Sequence, residues 1–290
     1  MRTTGLFTTH SFEIPFDKYN EPVYLIPFGD VHKSSPLHSA GHWDSFRAWA
    51  KDKKRAYFLG MGDYNDLAST SERNILENPN LHESTVKTLE QLYIKQTDMF
   101  YKDIEFMKGR IIGIMNGNHY GVLQSGITTD QWLAQKLGCK FLGVNCFIRL
   151  KFKYTSGSAR HSLDIFAHHG VGGGRIAGGL GSVERLSENA QADIYLMGDN
   201  HQKAQEHKTK LVLNEGGGIM KVVQRKTLFA RTGSFLKSYV EGEQSYIVDR
   251  AMSPSDLGVV KIELTPRRDG SGGENKKRFE DRWIDIHASI

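Results

Sequence analysis

The sequence has only two cysteines in 290 residues, Cys139 and Cys146, and their spacing makes no Cys-x-x-Cys pair. That argues against a disulfide-stapled secreted scaffold and fits two thiols kept reduced in a cytoplasm. No stretch approaches the roughly 18 consecutive apolar residues that a membrane-spanning helix needs. The amino-terminal MRTTGLFTTHSFEIPFD contains no apolar core of signal-peptide length. A soluble cytoplasmic protein is expected, with no membrane partner. There is also no internal repeat and no clear linker, so a single domain is expected over residues 1–290. What remains is ordinary: 39% hydrophobic and 24% charged residues, with a mean hydropathy of −0.46, describe a globular chain. A net charge of +5 and a pI near 9.0 suit an anionic substrate, and equally suit a plain solvated surface.

Short apolar runs alternate with helical patterns. Val23–Ile26, Tyr57–Leu59, Ile111–Met115, Leu163–Phe166 and Ile194–Met197 read as buried strands. Between them, Trp43, Phe46 and Ala50 share one face of a helix ending near Lys51. A longer helix spans Ser84–Met107, with Val86, Leu89, Tyr93, Phe100, Ile104 and Met107 at intervals of three, four or seven. Asp130–Leu137 is a third helix, with Thr128 or Thr129 as N-cap and Gly138 just past its end. Val183–Ala190 is a fourth. This alternation predicts an α/β fold. From about residue 210 strand-like pieces dominate: Leu211–Leu213, Thr227–Phe229, Val259–Ile262 and Trp283–Ile286. The polar, basic Arg267–Arg278 reads as an exposed loop.

The chemistry sits at the ends of the early strands. Asp30-Val31-His32 follows the first, Gly62-Asp63-Tyr64-Asn65-Asp66 the second and Gly117-Asn118-His119 the third. His168-His169-Gly170 follows the fourth and Gly198-Asp199-Asn200-His201 the fifth. Ligands gather at the carboxyl ends of strands in α/β folds. Imidazole and carboxylate donors together favour Mn, Fe, Zn or Ni over calcium. Residues i and i+2 at a strand end point the same way, so Asp30 and His32 can chelate one ion. Any one of these pieces alone is a common turn or cap; five of them, each at a strand end, are not.

The order Asp-x-His, Gly-Asp-x-x-Asp, Gly-Asn-His, His, Gly-x-x-His resembles the calcineurin-like metallophosphoesterase superfamily over roughly residues 23–235, including Thr232-Gly233-Ser234-Phe235 as a closing core strand. The resemblance implies a β-sandwich of two mixed sheets flanked by helices (α-β-β-α); the strand-like pieces beyond it make 236–290 an expected β-rich C-terminal extension. It implies two divalent ions, Mn first, with Fe, Zn, Ni or Mg as alternatives. Asp30, His32, Asp63 and His201 would hold one ion. Asp63 would bridge to a second, held also by Asn118, His168 and Asp199. Of the histidine pair, His168 follows the strand directly, as the family's ligand does. His119, oriented by Asp66, resembles the family's catalytic histidine. The implied chemistry is in-line hydrolysis of a phosphoester by water activated between the two ions.

The chain departs from the family pattern at Asp199, where the family usually has histidine. An aspartate there adds negative charge and biases the site towards a harder ion such as Mn²⁺. Tyr120, Leu67 and Asn116 stand where the protein-phosphatase branch carries acidic and arginine residues. Guanidinium contacts suit a dianionic monoester, so their absence points to a phosphodiesterase or nuclease, with nucleic acid or a nucleotide as substrate. The alternatives are a phosphomonoesterase acting on a nucleotide or metabolite, a decayed scaffold, and a nucleic-acid binder using basic surface. The glycine-rich stretch Gly170–Gly181 lacks a P-loop ending; an active-site loop is expected there, with Arg175 on a substrate phosphate.

Overall fold

Val23 and Leu25 face one side of their strand and Ile26 and Phe28 the other, and all four are buried. An uninterrupted apolar run of this kind requires cover on both faces of its sheet. The computed structural model, which describes residues 8–76, 81–170, 180–216, 219–243, 245–249, 251–269 and 281–290, supplies it.

In chain order the described elements are β1 (Thr8–Phe16), β2 (Val23–Phe28), α1 (Ala40–Asp52), β3 (Ala56–Gly60), α2 (Thr70–Leu76), α3 (Glu83–Ile104), β4 (Ile111–Met115), α4 (Thr129–Leu137), β5 (Lys140–Gly143) and β6 (Asn145–Tyr154). There follow β7 (Arg160–His168), α5 (Gly181–Asn189), β8 (Ile194–Met197), β9 (Lys203–Gly216), β10 (Ile219–Thr232), α6 (Tyr246–Asp249), β11 (Lys261–Asp269) and β12 (Asp281–Ser289). Among the described residues they form two six-stranded sheets, ordered β1-β6-β7-β8-β10-β9 and β12-β11-β2-β3-β4-β5. Both sheets are mixed. β2, β3, β4 and β5 run parallel, as do β7, β8 and β10, while β6, β9, β11 and β12 contribute antiparallel pairs.

Three apolar layers hold the sandwich. Leu25, Leu59, Ile112, Ile148, Ile165 and Leu196 meet between the sheets. Phe28, Trp43, Phe46, Phe58, Phe100 and Leu133 pack α1, α3 and α4 onto the β2–β5 side. Phe166, Val183, Leu186, Tyr195 and Phe229 pack α5 onto the other sheet. The architecture is therefore α-β-β-α, two mixed sheets flanked by helices.

The helices begin and end where local chemistry directs. Thr128 accepts the Gln131 N–H through its hydroxyl at 3.1 Å, and α4 stops at Gly138, whose φ of 67° is left-handed. Behind the β2 loop, Asp103 of α3 accepts from Trp43 Nε1 at 3.0 Å and is paired with Lys33, tying α1 and α3 to that loop. Cys139 and Cys146 are free thiols.

The carboxy-terminal strands are not peripheral. β11 pairs with β2, Ile262 opposite Leu25, so residues beyond 260 complete the sheet that carries the first motif. Arg267 and Arg268, expected in a loop, lie in β11 opposite Trp283 and Arg282; the rest of that expected loop, from residue 270, lies outside the described residues. Within the expected β-rich extension 236–290 the strands are β11 and β12, and the described residues of 236–257 are mostly irregular. Among the described residues no helix is long and apolar enough to cross a membrane.

Candidate metal centre

The loops after β2, β3, β4, β7 and β8 meet at one edge of the sandwich, three from one sheet and two from the other. Their backbones are bent hard. Among the described residues, the non-glycine positions with positive φ are Asn20, Asp30, His32, Asp63, Asp199, His201 and Ala251. Five of those seven belong to the motifs. A left-handed conformation costs a non-glycine residue roughly 1–2 kcal/mol, and such strain persists only where surrounding contacts enforce it. Here the enforcement is visible. Asp30 N–H donates to Gly62 O at 3.0 Å, Val31 and His32 N–H both donate to Asp63 O at 2.8 and 3.0 Å, and Phe235 N–H donates to Asp30 O at 2.9 Å.

Asp63 is the hub. Its Oδ1 accepts the backbone N–H groups of Asn118 (2.6 Å) and His119 (2.9 Å). Its Oδ2 lies 3.4 Å from His169 Nε2 and 3.7 Å from His32 Nε2. Glycine is required beside it. A Cβ on Gly117 would overlap the Asp63 carboxylate and backbone N, and one on Gly62 (φ 106°) would meet His169 Nδ1 at 2.5 Å.

Around this hub the structure assembles Asp30, His32 and His201 as one set of three donors and Asp30, Asp63 and His169 as an adjacent set; Asp66 and His119 make a further group with His32 at the mouth. His201 Nε2 is 3.8 Å from Asp30 Oδ1, and the His32 and His201 ring centroids are 5.3 Å apart. Asp199 sits beside the second set. Its Oδ1 accepts from Asn118 Nδ2 at 2.8 Å and lies 3.9 Å from His169 Nε2, while its N–H donates to Asp30 Oδ2 at 3.0 Å. The Asn118–Asp199 bond orients the amide and leaves the Asn118 oxygen over.

Cations fit these residues. Asp30 Oδ1, both ring nitrogens of His32, Asn118 Oδ1 and His169 Nε2 are buried and make no hydrogen bond. Leaving one buried polar atom unsatisfied costs about 1–3 kcal/mol. A neutral imidazole offers one lone pair beside one N–H, so Asp30, Asn118, His169 and one nitrogen of His32 bring four lone-pair donors to one place. Carboxylate, amide oxygen and imidazole together make a donor set that a divalent transition cation takes.

The charges agree. Burial raises the Asp30 carboxyl well above its ordinary range, with His169 partly opposing, and burial raises Asp199 as well. Burial also pushes Asp63 upward, but the His169 and His32 imidazoles outweigh it and hold that carboxyl low. Burial disfavours the charged His169 imidazole, but Asp63 outweighs it and raises the pKa to about 10, so cations entering beside it release protons.

His119 and Asp66 lie at the mouth. His119 Nδ1 is 2.6 Å from Asp66 Oδ1, which is also 3.6 Å from His32 Nδ1. Burial disfavours the charged imidazole, but the hydrogen bond to Asp66 prevails and raises the His119 pKa.

Strand parity sets the two adjacent histidines on opposite sides. Phe166 faces the α5 layer and Ala167 the layer between the sheets. Continuing that alternation, His168 falls on the outer side and His169 between the sheets. His168 Nδ1 accepts the Gly170 N–H at 2.8 Å, and His168 belongs to neither set of three. His169 is 1% exposed, with its Nδ1 2.7 Å from Met61 O, which aims Nε2 at Asp63. The order of the pair in sequence suggested His168; the parity of Phe166 and Ala167 was the signal that could have found His169. Arg175 lies outside the described residues.

Two further contributors carry no motif. Arg73 of α2 is buried and donates to the carbonyls of Ala68 (2.6 Å), Asn118 (2.7 Å) and Tyr120 (3.2 Å), with its guanidinium 3.8 Å above the Tyr120 ring. It braces the Asn118 loop from behind. The cleft over the centre, about 560 Å³, has Leu37, Leu236, Ile247 and Met252 among its lining residues, three of them from beyond residue 235.

No protein-family model matches the chain, and no curated protein sequence matches it. Among solved structures the chain is similar to Vps29 from Chaetomium thermophilum, at 10% identity and a TM-score of 0.36, covering 92% of this chain and 96% of that one. That likeness is distant, and the functional reading rests on the side chains instead.

Proposed function

We propose that this chain is a metal-dependent phosphodiester hydrolase of the calcineurin-like metallophosphoesterase type. The observation that carries the reading is the position of Asp63. One of its oxygens is fixed by two backbone N–H groups, and the other faces imidazoles contributed by both sheets. A carboxylate held this way is placed to bridge two cations. In this reading Asp30, His32, His201 and Asp63 hold one ion, and Asp63, Asn118, His169 and Asp199 hold the other. The second set, with three oxygen donors to one imidazole, suits Mn²⁺.

A bound pair of divalent cations supplies activation of water and neutralisation of charge on phosphoryl oxygens. The chain's own residues do the rest. Asp66 fixes Nδ1 of His119, so Nε2 is the nitrogen left to donate a proton to the leaving oxygen. The left-handed backbone at Asp30, His32, Asp63, Asp199 and His201 holds the donors in place before anything binds, so little reorganisation is left for binding to drive. Among the described residues lining the cleft there is no arginine, so none of them offers a bidentate fork to a monoester dianion, which favours a diester with a single charge.

Hydrolysis of bis-p-nitrophenyl phosphate with Mn²⁺ tests this. Turnover should be lost in EDTA, restored by Mn²⁺, and abolished by Asp63→Asn. Absence of any metal-dependent rate refutes it.

A further inference from the structure

Resting on that reading, we propose that Leu37, Leu236, Ile247 and Met252 form a specificity wall that seats a nucleobase. The substrate is then a small nucleoside phosphodiester rather than a nucleic-acid polymer.

The cleft has a lining of two unlike kinds. The donors around Asp63 line it, and so do Leu37, Leu236, Ile247 and Met252. A hydrolase whose only task was to grip phosphate would have no use for an aliphatic surface there. The wall is fixed to the metal centre rather than hung beside it. Ser234 Oγ donates to Asp30 O at 3.0 Å and accepts the Leu236 N–H at 2.9 Å, and Lys237 N–H donates to Leu37 O at 2.9 Å. Asp256 N–H donates to His201 O at 2.8 Å. The short helix α6, which carries Ile247, is anchored by Ser245 Oγ donating to Ser238 O at 2.9 Å. An apolar group held against this surface therefore has a set distance to the donors.

Size and charge narrow the occupant. A volume of about 560 Å³ lies within the range of about 300–1,000 Å³ typical of small-molecule clefts. Lys237 is the single lysine or arginine among the described lining residues. Proteins that hold nucleic-acid strands track successive phosphates with several cationic side chains, and the described lining residues form no such track. The hydroxyls of Ser35, Ser69 and Ser71 rim the same space and offer partners to the polar edge of a base, which a plain alkyl group would leave unused.

The test compares, in the Mn²⁺-loaded protein, thymidine 5′-(p-nitrophenyl phosphate) with methyl and hexyl p-nitrophenyl phosphate. All three share a leaving group, so the ratio of kcat/KM reads the remaining substituent. The nucleoside ester should be preferred to both by roughly tenfold or more, the size of effect that apolar pocket contacts supply, and mainly through KM. Leu236→Ala and Met252→Ala, each half-buried and each retaining bound Mn²⁺, should bring the ratio towards one. Calorimetry should show thymidine 5′-phosphate binding more tightly than inorganic phosphate in the parent protein and losing that advantage in both variants. Hydrolysis of the methyl ester with no nucleoside preference overturns the wall and leaves the hydrolase standing. A hexyl ester equal to the nucleoside ester, or an oligothymidylate cleaved with the higher kcat/KM, also overturns it. Failure to hydrolyse any of the three esters sinks the underlying hydrolase reading instead.

Discussion

Nε2 of His169 lies 3.4 Å from Oδ2 of Asp63, although the two residues follow strands of different sheets, β7 and β3. The centre is thus a seam, where closing the sandwich and assembling the donors are the same event. The three apolar layers that press the sheets and helices together therefore also set the spacing of the donors.

This relationship separates the two adjacent histidines. His169→Ala should lower Mn²⁺ occupancy of the second set and reduce diester turnover by about a hundredfold or more, beyond the roughly 10–100-fold that loss of an outer-shell partner costs. His168→Ala should leave metal content intact and turnover within a few-fold of the parent. Metal analysis of purified protein, paired with steady-state rates, distinguishes them. Equal losses in both variants would return His168 to the site.

His119→Asn should lower kcat while leaving bound metal unchanged, because His119 contacts Asp66 and not the buried donors through Nδ1. A proton donor matters most when the leaving group is a poor one. The loss should reach about 10²–10⁴-fold for an alkyl leaving group and shrink for p-nitrophenolate. A loss independent of leaving group would assign His119 to positioning alone.

Asp130 makes stability depend on pH in the metal-free protein. The carboxyl is buried, accepts the Gly117 N–H at 2.9 Å, and has its pKa raised by burial from 3.8 to about 7. A raised pKa in the folded state means that the neutral form is favoured by folding. Its contribution is fully present below the unfolded value and is lost as pH rises through about 7. The upper bound is on the order of 4 kcal/mol, at about 1.4 kcal/mol for each pH unit. Asp130→Asn keeps an oxygen for Gly117 and cannot titrate. Its Tm measured in EDTA, relative to the parent, should rise between pH 5 and pH 8. A constant difference across that range would mean that Asp130 is already charged at pH 5.

Much of this was readable in the residues, and the exceptions have physical causes. The strands ending in donors are continuous apolar runs because both faces are covered, and runs such as Ile111–Met115 and Ile194–Met197 coincide with β4 and β8. β1 and β6 were not anticipated. They lie together in the other sheet, and β6 alternates buried Cys146, Ile148, Leu150 and Phe152 with outward residues, so it has no apolar run. The motif donors could be located because carboxylate and imidazole beside glycine are distinctive. Arg73 could not, since its partners are backbone carbonyls, which carry no sequence signature. The apolar wall was equally hidden. Leu236, Ile247 and Met252 are ordinary residues in an irregular segment, and only the pairing of residues 234–237 with the Asp30 and Leu37 backbone brings them over the centre.

The central claim is that Asp63 joins two cations. Titration of the metal-free protein with Mn²⁺, followed by electron paramagnetic resonance, addresses it directly. Two equivalents should bind, and the spectrum should change from isolated ions to an exchange-coupled pair as the second enters, with coupling lost in Asp63→Asn. Binding of one equivalent or none, or of two that never couple, would contradict the account.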